Sequence, residues 1–322
     1  MASQQRGRHT GLRRWLGPAL ALLLALGHAH CAAAPLTTLP EFVSSFVTGS
    51  PSGLHLSGKR YFTSFETVDE FKPFYIVPPK HMGTATHELS AEHVVSGKLA
   101  HKATVWAENP VVANTNTNHR AYPTIRFEKT DLGIVKTAVV VDFWVWDELQ
   151  LRDQPEANWL SLATFTSYND TLWPHSYLIN VGFDRHVRLM HVPHNAMDVH
   201  DIFQTDSITL PPKQWVRITA YIDYQSKNRF AAPFIAVWQD GQLVSAARFD
   251  PRVYLPGALT AAQRPPCVKA LPSGATLEQA EAACKVVYTG GLAQAHFGLY
   301  AAPRVSRGAI YNDDLTVAEV AP

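Results

Sequence analysis

The chain has 322 residues, 46% of them apolar, 11% aromatic and 17% charged. That supplies enough apolar material for a large packed core and too little charge for a disordered chain. The formal net charge is only +1, with no concentrated basic run, which excludes binding along a nucleic-acid backbone as the main function.

The first element is a leader. Arg6, Arg8, Arg13 and Arg14 precede an apolar run at 16–26 and a small-residue stretch at 31–34. A basic region, a short apolar core and a small-residue cleavage site make the layout of a signal peptide, too short to span a bilayer. Residues 1–34 are therefore read as a signal peptide, with Arg13-Arg14 as a candidate twin-arginine signal. The mature chain is expected to be secreted or periplasmic, without stable membrane insertion. Residues 1–34 hold four arginines and no acids, so removing them turns the net charge from +1 to −3. Cys267 and Cys284 then remain as an even pair, which in an exported chain reads as a disulfide.

Residues 35–61 read as an N-terminal extension and 62–322 as one domain. YPTIRFEK (122–129) alternates Ile125 and Phe127 against Thr124, Arg126 and Glu128. TAVVVDFWVW (137–146) sets Val139, Val141, Phe143 and Val145 against Asp142, Trp144 and Trp146. SYLINVGFDRHVRLMHV (176–192) is a hairpin turning near Asp184-Arg185, QWVRITAYIDY (214–224) another alternating run, and FIAVWQDGQLVSAARF (234–249) a hairpin about Asp240-Gly241. A helical period occurs in TLEQAEAAC, where Thr276 and Gln279 have capping-box spacing. It falls in a Pro-rich insertion, 251–291, that the cysteine pair is expected to pin. Many short strands and one short helix predict an all-β sandwich or jelly roll of two antiparallel sheets.

Each such sheet has one face in the core and one facing out. Trp144, Trp146, Tyr122, Arg126 and His191 are expected on an outward face. Aromatic and arginine side chains there suit an extended sugar polymer, whose C–H faces stack on rings while its hydroxyls take hydrogen bonds.

Several stretches, in this order, resemble a known family: FTSFETVDEF (62–71), HELSAEHVVSGKLAHKATV (87–105), NHRAYPTIRF (118–127), VDFWVW (141–146), QWVRITAYIDY, VWQDGQLV (237–244), AHFGLYAAP (295–303) and IYNDDLTV (310–317). The chain resembles the polysaccharide-lyase branch of the concanavalin-like jelly rolls, the group with glucuronan, alginate and heparin lyases, over residues 62–318. The resemblance implies β-elimination on a uronic-acid polysaccharide; separately, the chain is expected to be a monomer. The resemblance also implies a structural calcium ion held by Glu66 and Asp314, with Asp313 a lesser ligand because neighbours on a strand face opposite ways.

A uronate lyase neutralises the C6 carboxylate, removes the C5 proton and protonates the leaving oxygen. Arg120 is the candidate neutraliser, His101 or His191 the base, and Tyr122 or Tyr300 the proton donor. Lys102, His119, Arg126, Trp144, Trp146, Gln294 and His296 are candidate substrate contacts. The competing reading is a non-catalytic carbohydrate-binding or adhesion protein. A glycoside hydrolase would need a closely spaced carboxylate pair, and no ExDxxE strand motif is present. The spacing of His186, His191, His194 and His200 fits no standard zinc site.

Overall fold

The computed structural model describes residues 56–71, 74–76, 84–112, 117–151, 159–169, 176–192, 200–225, 232–251, 266–272 and 274–321. The expected signal peptide and most of the extension lie outside them. The first strands are β1 (Leu56–Thr63), β2 (Phe74–Ile76), β3 (Ala85–Ser90), β4 (Ala100–Val105), β5 (His119–Ala121), β6 (Pro123–Arg126), β7 (Ala138–Asp147) and β8 (Trp159–Thr166). They are followed by β9 (Ser176–Gly182), β10 (Val187–Val192), β11 (His200–Gln204), β12 (Trp215–Asp223), β13 (Phe234–Gln239), β14 (Gln242–Arg248), β15 (Gln294–Ala301) and β16 (Gly308–Val320). Two short helices, α1 (Pro266–Lys269) and α2 (Leu277–Cys284), precede β15.

The strands form two antiparallel sheets. Sheet A has the order β11-β14-β13-β12-β7-β16-β4-β3, with β1 added along the far end of β16. Sheet B has the order β10-β9-β8-β15-β6-β2, with β5 also on β15. This is the all-β sandwich that the alternation predicts. Val139, Val141, Phe143 and Val145 of β7 are buried, while Asp142, Trp144 and Trp146 between them are half-buried on the other face. Phe143 meets Phe297 of sheet B edge to face, with centroids 5.2 Å apart, and Phe297 meets Phe165 at 6.1 Å. Rings like these, taken from water, stabilise the stack by about 1.5–3 kcal/mol each.

The hairpin at Asp240-Gly241 forms with both residues at positive φ, 48° and 79°, as its tight turn requires. A partly buried ion pair ties the sheets. Arg185 in the β9–β10 turn donates to Asp147 at the end of β7 (2.6 Å) and to the Leu210 carbonyl (2.7 Å). The cysteine pair is the disulfide Cys267–Cys284, joining α1 to α2, and Thr276 and Gln279 make the expected capping box.

The opening strand departs from expectation. It runs over 56–63 and stops at Thr63, so Phe65 and Glu66 lie beyond it, and residues 68–71 form a short 3-10 turn. Glu70 is the reason. Its carboxylate accepts the backbone N–H groups of Ser64, Phe65, Glu66 and Thr67 and the hydroxyl of Thr63, drawing these donors out of the ladder.

Candidate functional site

The nominated residues fall in three places rather than one trough, because β7 belongs to sheet A while β5, β6 and β15 belong to sheet B. The outer face of sheet B gathers Arg120, Tyr122, Arg126, His296 and Tyr300. In register, Arg120 stands opposite Tyr300, and Thr124 opposite His296. Between these pairs the sheet breaks. Gly298 sits at φ 112°, the β15–β8 register shifts between Phe297 and Tyr300, the β8–β9 register shifts between Ser161 and Ala163, and β5 gives way to β6 at Tyr122. Such breaks bend strands and re-aim side chains.

The re-aimed side chains touch. The Tyr122 ring lies edge-on to His296 at 4.9 Å and to Tyr300 at 6.0 Å. The Arg120 guanidinium carbon is 5.8 Å from the Tyr300 ring centroid, and Trp159 meets that ring edge-on at 5.1 Å. Leu178, with Met190 and Trp159, packs against the two tyrosines. Asn118 Nδ2 donates to the Tyr300 hydroxyl oxygen at 3.0 Å, and Thr124 Oγ1 lies 2.8 Å from His296 Nδ1. Arg126 pairs with Glu128 at 2.6 Å.

Electrostatics fixes the protonation of this group. Burial, followed by the charge of Arg120, pushes the His296 imidazole down to about 3. Burial pushes the Tyr122 phenol up, with Arg120 opposing. At neutral pH the face therefore presents a neutral imidazole, a protonated Tyr122 and a cationic guanidinium. That set can bind a carboxylate, shift its electron density and exchange protons beside it.

Other nominees do not join it. His101 lies inside the sandwich, 0% exposed, beside Phe65 and His87. Burial pushes its imidazole down to about 3, with the charge of His87 second and a hydrogen bond with Asn312 opposing. A base enclosed between the sheets cannot meet a polymer on the outer face. His119 is also buried. Its Nε2 lies 2.9 Å from the Val305 carbonyl oxygen and 3.2 Å from that of Pro303, while Nδ1 faces Thr84 and Asn109, so it fastens neighbouring loops. Gln294 is buried and donates to the Tyr168 carbonyl. His191 lies in β10 in register with Tyr177; its side chain is outside the described residues.

Lys102, Trp144 and Trp146 stand on the outer face of sheet A. The connection 91–99 between β3 and β4 packs onto part of that face. His93 stacks on Trp146 at 4.0 Å and pairs with Glu148, which also accepts the Trp146 indole N–H. Lys102 donates to Glu92 at 2.6 Å and stands 5.6 Å from the centre of the Tyr311 ring. These contacts give Trp146 and Lys102 structural partners away from sheet B.

Glu66, Asp313 and Asp314 converge on the same connection. Asp313 accepts the N–H groups of Val95 and Ser96, Asp314 the Ser96 hydroxyl, and Glu66 the N–H groups of Lys98 and Leu99. Asp314 does not turn away from Asp313 as strict alternation demands, because it sits at φ 47° in a bulge of β16. The donor set suits a hard cation in kind. Among the described residues, however, no three His, Cys, Asp or Glu side chains stand close enough to share one. The carboxylates would have to swing their second oxygens together to hold it.

Asn118, Thr124 and Trp159 are the site residues that strand patterns miss. Thr124 shares the parity of Tyr122 and Arg126 in YPTIRF, which is the one available signal. Trp159 opens WLSLATFT, whose residues from Leu160 onward are all buried, so alternation is silent there.

No protein-family model and no curated protein matches the chain in sequence. Solved structures similar to it include polysaccharide lyases. An endo-β-1,4-glucuronan lyase from Trichoderma reesei is 13% identical, with TM-score 0.41, over 83% of this chain and 93% of that one. Cellulose induced protein Cip1 is 12% identical, with TM-score 0.46, over 81% and 97%. The alginate lyase Aly36B is 12% identical, with TM-score 0.38, over 81% and 92%.

Proposed function

We propose that the outer face of sheet B is the active site of a secreted polysaccharide lyase that cleaves a uronic-acid polymer by β-elimination. The observation that carries this reading is Arg120 placed over Tyr300, with Tyr122 and His296 against it on one face. Arg120 engages the C6 carboxylate and draws charge from C5. The C5–H bond breaks, its electron pair forms the C4=C5 double bond, and the C4–O bond breaks. Tyr300 protonates the departing oxygen. Its own oxygen already accepts from Asn118, which turns the phenol proton elsewhere. The base is His296 or His191, since His101 is enclosed and burial keeps the proton on Tyr122. The test is ultraviolet absorbance of the unsaturated product on a panel of polyuronates. Product formation supports the reading; binding without product refutes it.

Burial of Tyr122 (3% exposed) and Tyr300 (6%) favours a second reading, a non-catalytic carbohydrate-binding protein touching the polymer mainly through Arg120 and Arg126. The same assay separates the two. Export through residues 1–34 and a monomeric state belong to the proposal. Among the described residues no helix is long and apolar enough to cross a membrane.

Calcium enters this proposal as a structural ion only. Glu66, Asp313 and Asp314 would hold it against segment 95–99, supplying positive charge to a cluster for which no ion pair with a cationic side chain is found among the described residues. Asp313 is 0% exposed, and burial pushes its carboxyl up to about 6, which a nearby cation would offset.

A further inference from the structure

The outer face of sheet A carries an apolar band that the sheet cannot bury by itself. Ala318 (β16), Val140 (β7), Tyr221 (β12), Ala236 (β13), Ala246 (β14) and Phe203 (β11) stand in register across six strands. Five inter-strand steps make this row about 24 Å long. Phe234 and Trp238 flank Ala236 on the same face of β13, so the small side chain leaves a notch between two rings. Phe234 and Trp238 are nevertheless 1% exposed and Ala246 0%. Among the described residues, every member of this cluster and every half-buried side chain packed on it belongs to sheet A. Strand neighbours shield one another's flanks, but only a further layer takes the top of a sheet from water.

We propose that residues 39–55 supply this layer: the outer face of sheet A is a docking surface for the chain's own N-terminal extension. The extension ends at Leu56, which stands in register with Val320, two residues from Ala318 at the near end of the row. Seventeen residues reach about 55 Å when extended, more than twice the length of the row. Their side chains suit it. Leu39, Phe42, Val43, Phe46 and Val47 recur at three- and four-residue steps, which makes one apolar stripe, and 39–55 hold one acid, Glu41, and no lysine or arginine. The other segments whose ends lie near this face fit less well. Residues 226–231 only close the β12–β13 hairpin and carry Lys227 and Arg229. Residues 193–199 join β10 of sheet B to β11 at the edge of sheet A. Residues 252–265 start beyond Asp250, whose carbonyl accepts from Tyr177 of sheet B, and lead to the helices held at Tyr168 beyond β8. The proposal is independent of the chemistry assigned to sheet B.

The experiment uses the chain as exported. Phe42→Ser with Phe46→Ser is compared with Val111→Ser with Val112→Ser, whose targets are exposed in the loop after β4. Acrylamide quenching of Trp238 is read as the difference between each chain and its Trp238→Phe counterpart. It is expected to rise severalfold in the first pair and to stay at the wild-type level in the second, with binding of an apolar dye rising alongside. Should the first pair fold poorly, cysteine pairing decides. Phe46→Cys is combined in turn with Ala236→Cys, Ala246→Cys and Ala318→Cys, and an intrachain disulfide is expected at one of the three but not with Val111→Cys. Unchanged shielding of Trp238 in the folded Phe42→Ser, Phe46→Ser chain, or pairing at none of the three alanines, overturns the proposal and gives the face to another segment. Exposure of Trp238 on dilution of the wild type gives the face to a second copy and overturns it as well.

Discussion

The imidazole of His101 fills the space that a side chain at Gly298 would need: a Cβ there would lie 2.7 Å from His101 Cε1 and 3.1 Å from the Ala121 carbonyl oxygen. The two residues come from different sheets, β4 in A and β15 in B, so this contact sets the local spacing beneath the catalytic candidates. Gly298→Ala would force a non-glycine residue to φ 112° and crowd a backbone oxygen that cannot move away cheaply. Strain and overpacking together should cost about 2–5 kcal/mol. The urea unfolding midpoint of Gly298→Ala should fall accordingly; a midpoint equal to the wild type would show that the two sheets part easily at this point.

Stability should fall in mild acid, and His101 is a main cause. Its imidazole is held at about 3 in the fold against 6.5 ordinarily. As pH falls through that window the unfolded chain takes the proton first, so stability present above 6.5 is progressively lost. The full loss is on the order of 5 kcal/mol for this one group. His296, also at about 3, and His119, lowered by burial, act in the same direction. Asp313 opposes them. Its carboxyl at about 6 is protonated in the fold before it is in the unfolded chain, which adds stability as pH falls from about 6 to 3.8. Asp147, also raised by burial, opposes them too, but the three histidines together with the lowered carboxyls of Glu92 and Asp184 outweigh these two carboxylates. Urea midpoints measured from pH 7 to 4 should decline, and His101→Gln should flatten the slope whatever it does to the absolute value.

The two sheets are legible in the sequence because alternation reports which side chains face in. Val139 to Val145, Ile125 with Phe127, and Val216 with Ile218 all behave as their spacing requires. Alternation does not report which sheet a strand joins. Trp144 and Tyr122 both face out, yet from opposite sides of the molecule, and only the strand order separates them. His101 was readable too: it shares parity with Ala103 and Val105, both buried, which places it inside. The bulge at Asp314 was not readable, since a positive φ at a non-glycine residue leaves no pattern in the neighbouring residues.

If calcium joins Glu66, Asp313 and Asp314, it should stabilise the whole chain. At a hundredfold excess over its dissociation constant, an ion bound only to the fold adds about 2.7 kcal/mol. For a domain of this size that corresponds to roughly 5–10 °C in Tm. EDTA should lower Tm, calcium should restore it, and Asp313→Asn with Glu66→Gln should remove the response. An unchanged Tm on chelation and re-addition would leave connection 91–99 held by its carboxylate-to-N–H hydrogen bonds alone.

The Cys267–Cys284 disulfide should act locally. Closing a 17-residue separation is worth about 3 kcal/mol in the chain-entropy account. The helices it joins have their own small core, Val268 and Ala280, apart from the main one. They meet the rest of the chain partly through Glu281, which accepts from the Tyr168 hydroxyl, and through the Val287–Asn169 bonds. Reduction should therefore speed proteolysis within 266–285 manyfold while leaving the Tm of the main sandwich within a few degrees. A large drop in that Tm would show the helices to be part of the main cooperative unit.

Arg120→Lys tests the chemistry most directly, because it keeps the charge and removes the shape. The guanidinium offers a planar fork that holds a carboxylate by two parallel hydrogen bonds and can lie over a ring, as it does over Tyr300; an ammonium is a point charge with neither property. If Arg120 stabilises the charge that develops on the uronate as C5 loses its proton, the loss appears in kcat, by about 10²–10³-fold. If it only binds substrate, the loss appears in KM with kcat retained. The first outcome is expected, with near-ultraviolet circular dichroism unchanged. A variant with full kcat would move the neutralising role to another group on this face, of which Arg126, already paired with Glu128, is the nearest cationic candidate along the strand.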